Sequence, residues 1–454
     1  MTRLGRALLL IFAFAQAVAG LRVAARLLRT ARGSRITPVS EPAPGERVSV
    51  IVPVLNERDR LAPCLSALIA QPDEVAEILV VDGGSTDGTP GLARQFAERD
   101  LRVRLIDAAP VPADWNGKAH GLQAGLQAAA PSSPWVLTID ADVRVQPQLT
   151  RSLLAHAQPP GLAVLGVATR QRVCGAGDAV LHPALLTTLV YRFGIPGHAT
   201  WLTDEVQANG QCSLYRREAL ERIGGFTLAR ASRCEDVTIA RALAQAGFLT
   251  GFYEAGDLAQ TAMYGSWRET WRNWPRSLPL RDRYSGAAGW SGLAEVTLAQ
   301  GLPLAVLAAI VLSSARKPPP PSPLPASMRG REEPVCGGVA RFWRSHANRG
   351  ANTRGKSPSP AHGRREGGWG EGLLRVGASR SRPLIPLQLA LLAMRLGVLA
   401  GTRRAYDHPA PTYWLSPLAD FPVALRLWQS ALQRQHTWRG RPLVPDTADI
   451  WSMT

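Results

Sequence analysis

Residues 136–145 read VLTIDADVRV. An apolar run ends in two carboxylates, Asp140 and Asp142, with Ala141 between them. Strand residues alternate faces, so in an extended chain positions i and i+2 point the same way. Both charges then share one face at the end of a buried strand. Like charges held that close repel, and each is costly to desolvate. A divalent cation resolves the conflict, because Mg2+ or Mn2+ takes oxygen ligands and shares them with substrate phosphates. D-x-D alone is a weak signal, since solvated turns also carry it. Its place at the end of an apolar strand strengthens it.

The neighbouring segments supply a sheet for that strand. VSVIVPVL (48–55) is a continuous apolar run, as expected of a strand covered on both faces. RLAPCLSALIAQ (60–71) has helical period, and AEILVVDGGSTDGT (76–89) is a second strand followed by a Gly/Ser/Asp turn. A helix (90–100), a strand (101–108) and a helix (121–130) lead back to PWVLTIDADV (134–143). Strands alternating with helices imply an α/β fold with a mainly parallel sheet, whose ligands sit beyond the carboxyl ends of the strands. Asp82, Asp140 and Asp142 all fall at such ends.

Each further candidate has a plain structural reading beside the chemical one. Asp82 precedes two glycines and could accept from a base or ribose, or simply close an Asp-Gly turn with a helix cap at Thr86 or Asp87. The stretch lacks G-x-G-x-x-G, which argues against NAD. Lys118, after a glycine and just before a helix, suits a diphosphate or is a surface lysine. Glu235 and Asp236 open an amphipathic helix in SRCEDVTIARALAQAG (232–247). There they favour the helix dipole, or one of them takes the proton from an acceptor hydroxyl.

The flanks read differently. LGRALLLIFAFAQAVAGLRVAARLL (4–28) is apolar with a basic fringe and reads as a signal peptide, an anchor or a surface helix. Arg22, Arg26, Arg29, Arg32 and Arg35 follow it, against Arg3 and Arg6 before it. The positive-inside rule therefore favours an uncleaved anchor over 1–30 and a cytoplasmic domain after it. A Pro-rich linker (31–47) joins them. Residues 292–312 and 383–401 are of spanning length, the second weakened by Arg395. Residues 413–432, with Asp420 and Arg426, suit spanning, interfacial or re-entrant placement, within a membrane-associated segment 402–454.

Net charge is +17, which raises the question of nucleic acid. Residues 313–382 alone hold fourteen Arg or Lys against four Glu, in a Pro/Gly/Ser-rich composition that cannot bury a core. That stretch is expected to be a disordered insertion. It lacks aromatics in stacking register, so nucleic acid is not an expected partner. Five scattered cysteines without a CxxC pair argue against a disulfide framework or a zinc site.

Together VSVIVPVLNE, VVDGGSTDGT, GKAHGLQAGL, TIDADV, NGQCSLYRREALERIGGF and CEDVTIARAL resemble, in order, the family 2 inverting glycosyltransferases of GT-A fold, over roughly residues 48–284. The resemblance implies a nucleotide-diphosphate sugar donor and Mg2+ or Mn2+ held by Asp140 and Asp142. Glu57 and Asp82 would lie near the nucleotide, with Lys118 and Asp140 at the donor. Asp236, with Glu235 beside it, would be the base. AMYGSWRETWRNWPRSL (262–278) and HTWRGRPL (436–443) look like membrane glycosyltransferases of carotenoid and hopanoid pathways. That implies a lipid acceptor, with Trp271 and Trp274 either holding it or serving as interfacial aromatics. It also implies a multi-pass protein of the cell (inner) membrane. The Q-x-x-R-W signature of processive polysaccharide synthases is missing from WRETWRNWPR. The alternatives are such a synthase, a polyprenyl-phosphate sugar transferase, or an inactive membrane protein that keeps the fold.

Overall fold

The structure is a computed structural model and describes residues 3–43, 45–278, 286–315, 384–433, 437–438 and 441–442. The chain divides into a larger unit, 1–307 with 383–454, and a second, 308–382. In the second unit the described residues, 308–315, complete the helix Leu302–Ala315. The expected disorder of 316–382 lies outside the described residues.

Eleven strands among the described residues build the domain. They are β1 (Val48–Val54), β2 (Val75–Asp82), β3 (Val103–Asp107), β4 (Trp135–Ile139), β5 (Val143–Val145), β6 (Val164–Ala168), β7 (Arg170–Gln171), β8 (His198–Thr200), β9 (Cys212–Arg216), β10 (Thr250–Glu254) and β11 (Ala259–Thr261). Eight form one sheet in the order β3-β2-β1-β4-β9-β6-β10-β8, and β5-β11-β7 form a small second sheet. β3, β2, β1 and β4 are mutually parallel, as are β6 and β10; β9 and β8 run against them. The result is the mainly parallel, GT-A-like sheet that the alternation of strands and helices implied.

Alternation along β1 explains the layering. Val48, Val50, Val52 and Val54 face one core with Leu61, Leu65 and Leu154. Ile51 faces the other with Leu79, Val81 and Leu122. Both faces are apolar because helices cover both, and each fully buried Val, Ile or Leu contributes about 1.5–3 kcal/mol. The helix Gly117–Ala128 lies unusually close to the sheet: a Cβ on Gly125 would come within 2.5 Å of Ile51 and one on Gly121 within 3.3 Å of Pro53. These two small residues, one turn apart, seat the helix so that its first turn overhangs the end of β4.

Three helices are long and apolar enough to cross a membrane: Arg3–Thr30, Ala287–Ser313 and Leu384–Ala405. Buried polar side chains tie them together, as small polar contacts do inside bilayers. Gln16 and Gln388 exchange amide hydrogen bonds, and Gln16 Nε2 also donates to Leu298 O at 3.0 Å. A π-helical turn, Thr297–Gly301, brings Gln300 Nε2 to Ala184 O and to Asp420 Oδ1, both at 2.8 Å. Arg395, which weakened its apolar run, is fully buried against Asp420, Nε to Oδ2 2.8 Å. The stretch 413–432 is a 3-10 helix (Pro411–Ala419) followed by an α-helix (Asp420–Leu432), and it is not among the candidate spans. Within the terminal segment 436–443, Thr437–Trp438 pairs antiparallel with Arg441–Pro442, and the rest lies outside the described residues.

Candidate active site

The acidic pair is brought together by a turn and not by strand alternation. β4 ends at Ile139, and Val143 N donates to Asp140 O at 3.0 Å, which reverses the chain into β5. The expectation of one extended segment is therefore corrected: Val143 and Val145 pair with β11 in the small sheet, which bends the chain away after Asp140. Asp140 stays anchored to the large sheet, its N–H donating to Gln211 O at 3.0 Å.

Lys118 reaches across from the first turn of its helix. Its Nζ lies 2.8 Å from Asp140 Oδ1, 2.9 Å from Glu235 Oε1 and 3.1 Å from Gly210 O. Those three acceptors account for the three N–H donors of the ammonium. One lysine thus joins the ends of β4, of the loop before β9 and of the helix Glu235–Gln245. Gly210 is part of the arrangement, since a Cβ there would sit 2.8 Å from both Lys118 Nζ and Glu235 Oε1 and 3.6 Å from Asp236 Cβ.

Burial, together with Asp142 and Asp236, pushes the Asp140 carboxyl up to about 6, although Lys118 pulls the other way. Burial also raises Glu235, with Asp236 and Asp140 adding to it. Burial disfavours the Lys118 charge, but Asp140 and Glu235 more than offset this and hold its pKa well above the lysine value. Two of these carboxylates, Asp140 and Glu235, pair with Lys118. The oxygen donors of Asp140 and Asp142 suit a hard divalent ion. Among the described residues no three acidic, His or Cys side chains converge into a complete cage. Asp140 and Asp142 would supply part of a shell that ligand oxygens and water complete.

The other expected residues have defined places. Asp82, the last residue of β2, accepts from Gly84 N (3.2 Å), Ser85 N (3.1 Å) and Ser85 Oγ, so its carboxylate shapes its own loop. Asn56, at φ +54°, accepts from Thr86 N at 2.8 Å, and Asp87 accepts from Arg58 N (3.1 Å) and Thr89 N (3.0 Å). These bonds clamp the loops after β1 and β2 against each other. Glu57 caps the helix Arg58–Ile69 on that rim, with its carboxylate 3.9 Å from Arg60. Trp274 is buried, its ring 4.3 Å from that of His182, and Trp271 is half-buried in the same apolar cluster. Their surroundings are therefore interior and not an exposed interfacial belt.

A cavity of about 520 Å³ is lined in part by chain neighbours of the acidic cluster. Asn209, Gln211 and Val237 line the end beside Gly210 and Asp236, and Trp274 lines its side. Leu27 and Leu28 of one candidate span, and Met394 and Val398 of another, complete an apolar wall. Sequence reading missed this cavity and Gly210, since its walls come from segments hundreds of residues apart.

With this geometry in place, comparison with known proteins is direct. The Glycosyl transferase family 2 model matches residues 49–224 of the chain. The match includes Glu57, Asp82, Lys118, Asp140 and Asp142 and ends before Glu235 and Asp236. Among similar proteins, Lipopolysaccharide core biosynthesis glycosyltransferase LpsC of Rhizobium meliloti (strain 1021) is 33% identical over 132 residues, 29% of this chain and 44% of the relative. The Uncharacterized glycosyltransferase YibD of Escherichia coli (strain K12) is 30% identical over 118 residues, 26% of this chain and 32% of the relative. The chain thus spans a third to under a half of these two curated relatives. Mannosyltransferase PcManGT from Pyrobaculum calidifontis, solved in complex with GDP-Man and Mn2+, aligns over 87% of this chain and 98% of its own at 20% identity, with a TM-score of 0.45.

Proposed function

We propose that this chain is a membrane-bound glycosyltransferase. It moves a sugar from a nucleotide-diphosphate donor to a lipid-like acceptor, of carotenoid or hopanoid type, with inversion of the anomeric centre. The observation that carries this reading is the cavity lined by Asn209, Gln211 and Val237, chain neighbours of the acidic cluster, and by residues of helices long enough to span a membrane.

In this reading the donor lies over the carboxyl ends of β1, β2 and β4. The clamped loops at Asn56–Glu57 and Asp82–Asp87 shape the nucleotide end, with Asp82 acting through its loop. Asp140 and Asp142 hold Mg2+ or Mn2+, which neutralises charge on the diphosphate when bound. Lys118 keeps Asp140 and Glu235 in place and adds positive charge beside the leaving group. Asp236 is the base, by its place in the family's E-D element, and Glu235 pairs with Lys118. The acceptor oxygen attacks the anomeric carbon as its proton passes to Asp236, the bond to the diphosphate oxygen breaks, and the nucleoside diphosphate leaves. Trp274 and the apolar wall seat the acceptor. Basic residues after the first helix favour a multi-pass protein of the cell membrane with the domain on the cytoplasmic side.

The test uses the full chain in detergent or nanodiscs with a panel of nucleotide sugars and lipid acceptors. Asp236→Asn keeps size and removes basicity, so it should depress transfer about 10²–10⁴-fold with donor binding nearly unchanged. Wild-type transfer by that variant, or a product that retains the donor's configuration, would overturn the assignment.

A further inference from the structure

A second cavity, of about 470 Å³, takes no part in the machinery above. One wall is the last part of the first candidate span, where Arg22, Arg26 and Arg29 recur at i, i+4 and i+7 and so share one helix face. The facing wall is the start of the second candidate span, where Ala288, Ser291 and Glu295 share a face in the same way. Glu295 joins the two helices, 2.7 Å from Arg22 Nε and 3.0 Å from Arg26 Nη1. The third wall is the edge of the large sheet, β8 with Thr250–Phe252 of β10. The end of the first span is locked to that edge: Ile195 N donates to Thr30 Oγ1 and Ser34 N to Gly197 O, both at 3.0 Å. A Cβ on Gly33 would sit 2.7 Å from Gly197 Cα, so the two backbones touch. The cavity therefore lies where two candidate spans meet the sheet.

Arginine dominates this lining. Arg22, Arg26, Arg29 and Arg192 stand against Asp204, Glu205 and Glu295. Arg22 and Arg26 share the single carboxylate of Glu295. Arg29 reaches Glu205 at 3.7 Å with both side chains half or more exposed, a pairing worth little in water. A phosphodiester suits such a set, since guanidinium groups hold phosphate oxygens through paired N–H donors. Position chooses its source. The turn between Thr200 and Asp204 of the lining carries Trp201 and Leu202, 63% and 61% exposed. An exposed tryptophan beside arginines at the ends of spanning helices matches the headgroup level of a bilayer. We propose that this cavity takes the headgroup of an anionic phospholipid of the surrounding membrane, which seats the sheet edge against the bilayer surface. Phe193, Gln207 and Phe252 line both cavities, so the headgroup borders the proposed acceptor site. The inference rests on the reading of the chain as membrane-bound and not on the identity of the acceptor.

The test titrates the full chain in detergent with a fluorescent short-chain phosphatidylglycerol. Unlabelled phosphatidylglycerol, phosphatidylcholine and inorganic phosphate then compete for it. Each arginine near an anionic headgroup is worth about fivefold, so phosphatidylglycerol should compete at least about tenfold better than phosphatidylcholine. Arg22→Gln with Arg29→Gln leaves Glu295 paired with Arg26. That variant should lower phosphatidylglycerol affinity about fivefold or more with phosphatidylcholine affinity unchanged. Arg94→Gln with Arg99→Gln removes the same charge from exposed positions outside both cavities and should change neither affinity. Equal competition by phosphatidylcholine, an unchanged preference in the Arg22/Arg29 variant, or an equal loss in the Arg94/Arg99 variant would overturn the headgroup site. Inorganic phosphate that competes as well as phosphatidylglycerol would overturn the lipid source. Reconstitution into phosphatidylcholine nanodiscs tests the membrane reading separately. A chain that stays monodisperse without detergent and does not enter the discs would overturn that reading and this inference with it, whereas entry without lipid preference would overturn this inference alone.

Discussion

Gly210→Ala tests the site through a residue that has no chemistry of its own. The added methyl would sit 2.8 Å from Lys118 Nζ and from Glu235 Oε1, well inside contact distance. Relief requires a displacement of roughly 0.7 Å, because the attraction between non-bonded heavy atoms is best near 3.5 Å. Neither charged group can swing away cheaply. Lys118 is held by Asp140 at 2.8 Å and by Gly210 O at 3.1 Å, and Glu235 is fixed at the start of its helix. The methyl therefore forces Lys118 or Glu235 off its partners, or moves the loop before β9. Overpacking of this kind costs about 1–3 kcal/mol of stability. A misplacement of about 1 Å can cost 10²-fold in rate, so this smaller shift should cost roughly tenfold or more.

The assay is donor turnover and thermal denaturation of the full chain in detergent, beside Gly91→Ala as a control. Gly91 lies in the helix Thr89–Ala97, where an added Cβ meets nothing within 4 Å. That substitution should leave turnover unchanged and raise stability by up to about 1 kcal/mol. Gly210→Ala should lose about tenfold in kcat and lower the midpoint. Wild-type kcat and midpoint in Gly210→Ala would refute the claim that close approach at Gly210 sets the Lys118 geometry.

Metal dependence should follow Asp140. Its raised carboxyl binds a proton in the folded chain that the unfolded chain releases near pH 4, so between pH 4 and about 6 the cluster loses stability as pH rises. Mn2+ should restore that loss, raising the thermal midpoint at pH 7.5 and little at pH 5; equal shifts at both, or in Asp142→Asn, would contradict the site. His182 gives a slope of opposite sign, since burial lowers it to about 3. The unfolded chain gains a proton below about pH 6.5 that the folded chain refuses, so stability falls as pH drops. The loss is about 2 kcal/mol between pH 7.5 and 5, and His182→Gln should flatten that part of a midpoint-against-pH curve. Arg395→Met should destabilise by about 3–5 kcal/mol by stranding Asp420, while Arg395→Met with Asp420→Leu should recover most of it. A neutral Arg395→Met in the same denaturation assay would argue against the buried pair.

Much of this was legible in the sequence because it is local. The continuous apolar run of β1 reports helices on both faces, and the spanning helices report themselves by length. Lys118 and the Glu235–Asp236 pair sit at helix starts as their neighbours imply. What was hidden depends on pairings that no spacing encodes. Asp140 and Asp142 were read as alternating strand residues, yet β11, over a hundred residues later, draws Val143 and Val145 into a second sheet and turns the chain between them. Asp82 ends β2 as its strand pattern implies, and its loop uses its carboxylate. Arg22, Arg26 and Arg29 report a membrane side by their charge, but the cavity they line exists only once the helix of Glu295 and the strand β8 lie against them.

Glu235 and Asp236 differ in a tertiary contact that local geometry does not encode. Both residues sit in the first turn of one helix, where either carboxylate suits the dipole equally. The helix therefore gives no ground to prefer one. Lys118, 117 positions earlier in the chain, makes the difference by pairing with Glu235 at 2.9 Å. Asp236 lies beside Val237, which lines the cavity, while Glu235 pairs with Lys118. In the proposed mechanism the first carboxylate holds Lys118 at the leaving group, and the second serves the acceptor. Exchanging the two, in Glu235→Asp with Asp236→Glu, should keep the charge and the helix yet lose most transfer. Substantial transfer by that exchanged variant would show that the division does not hold.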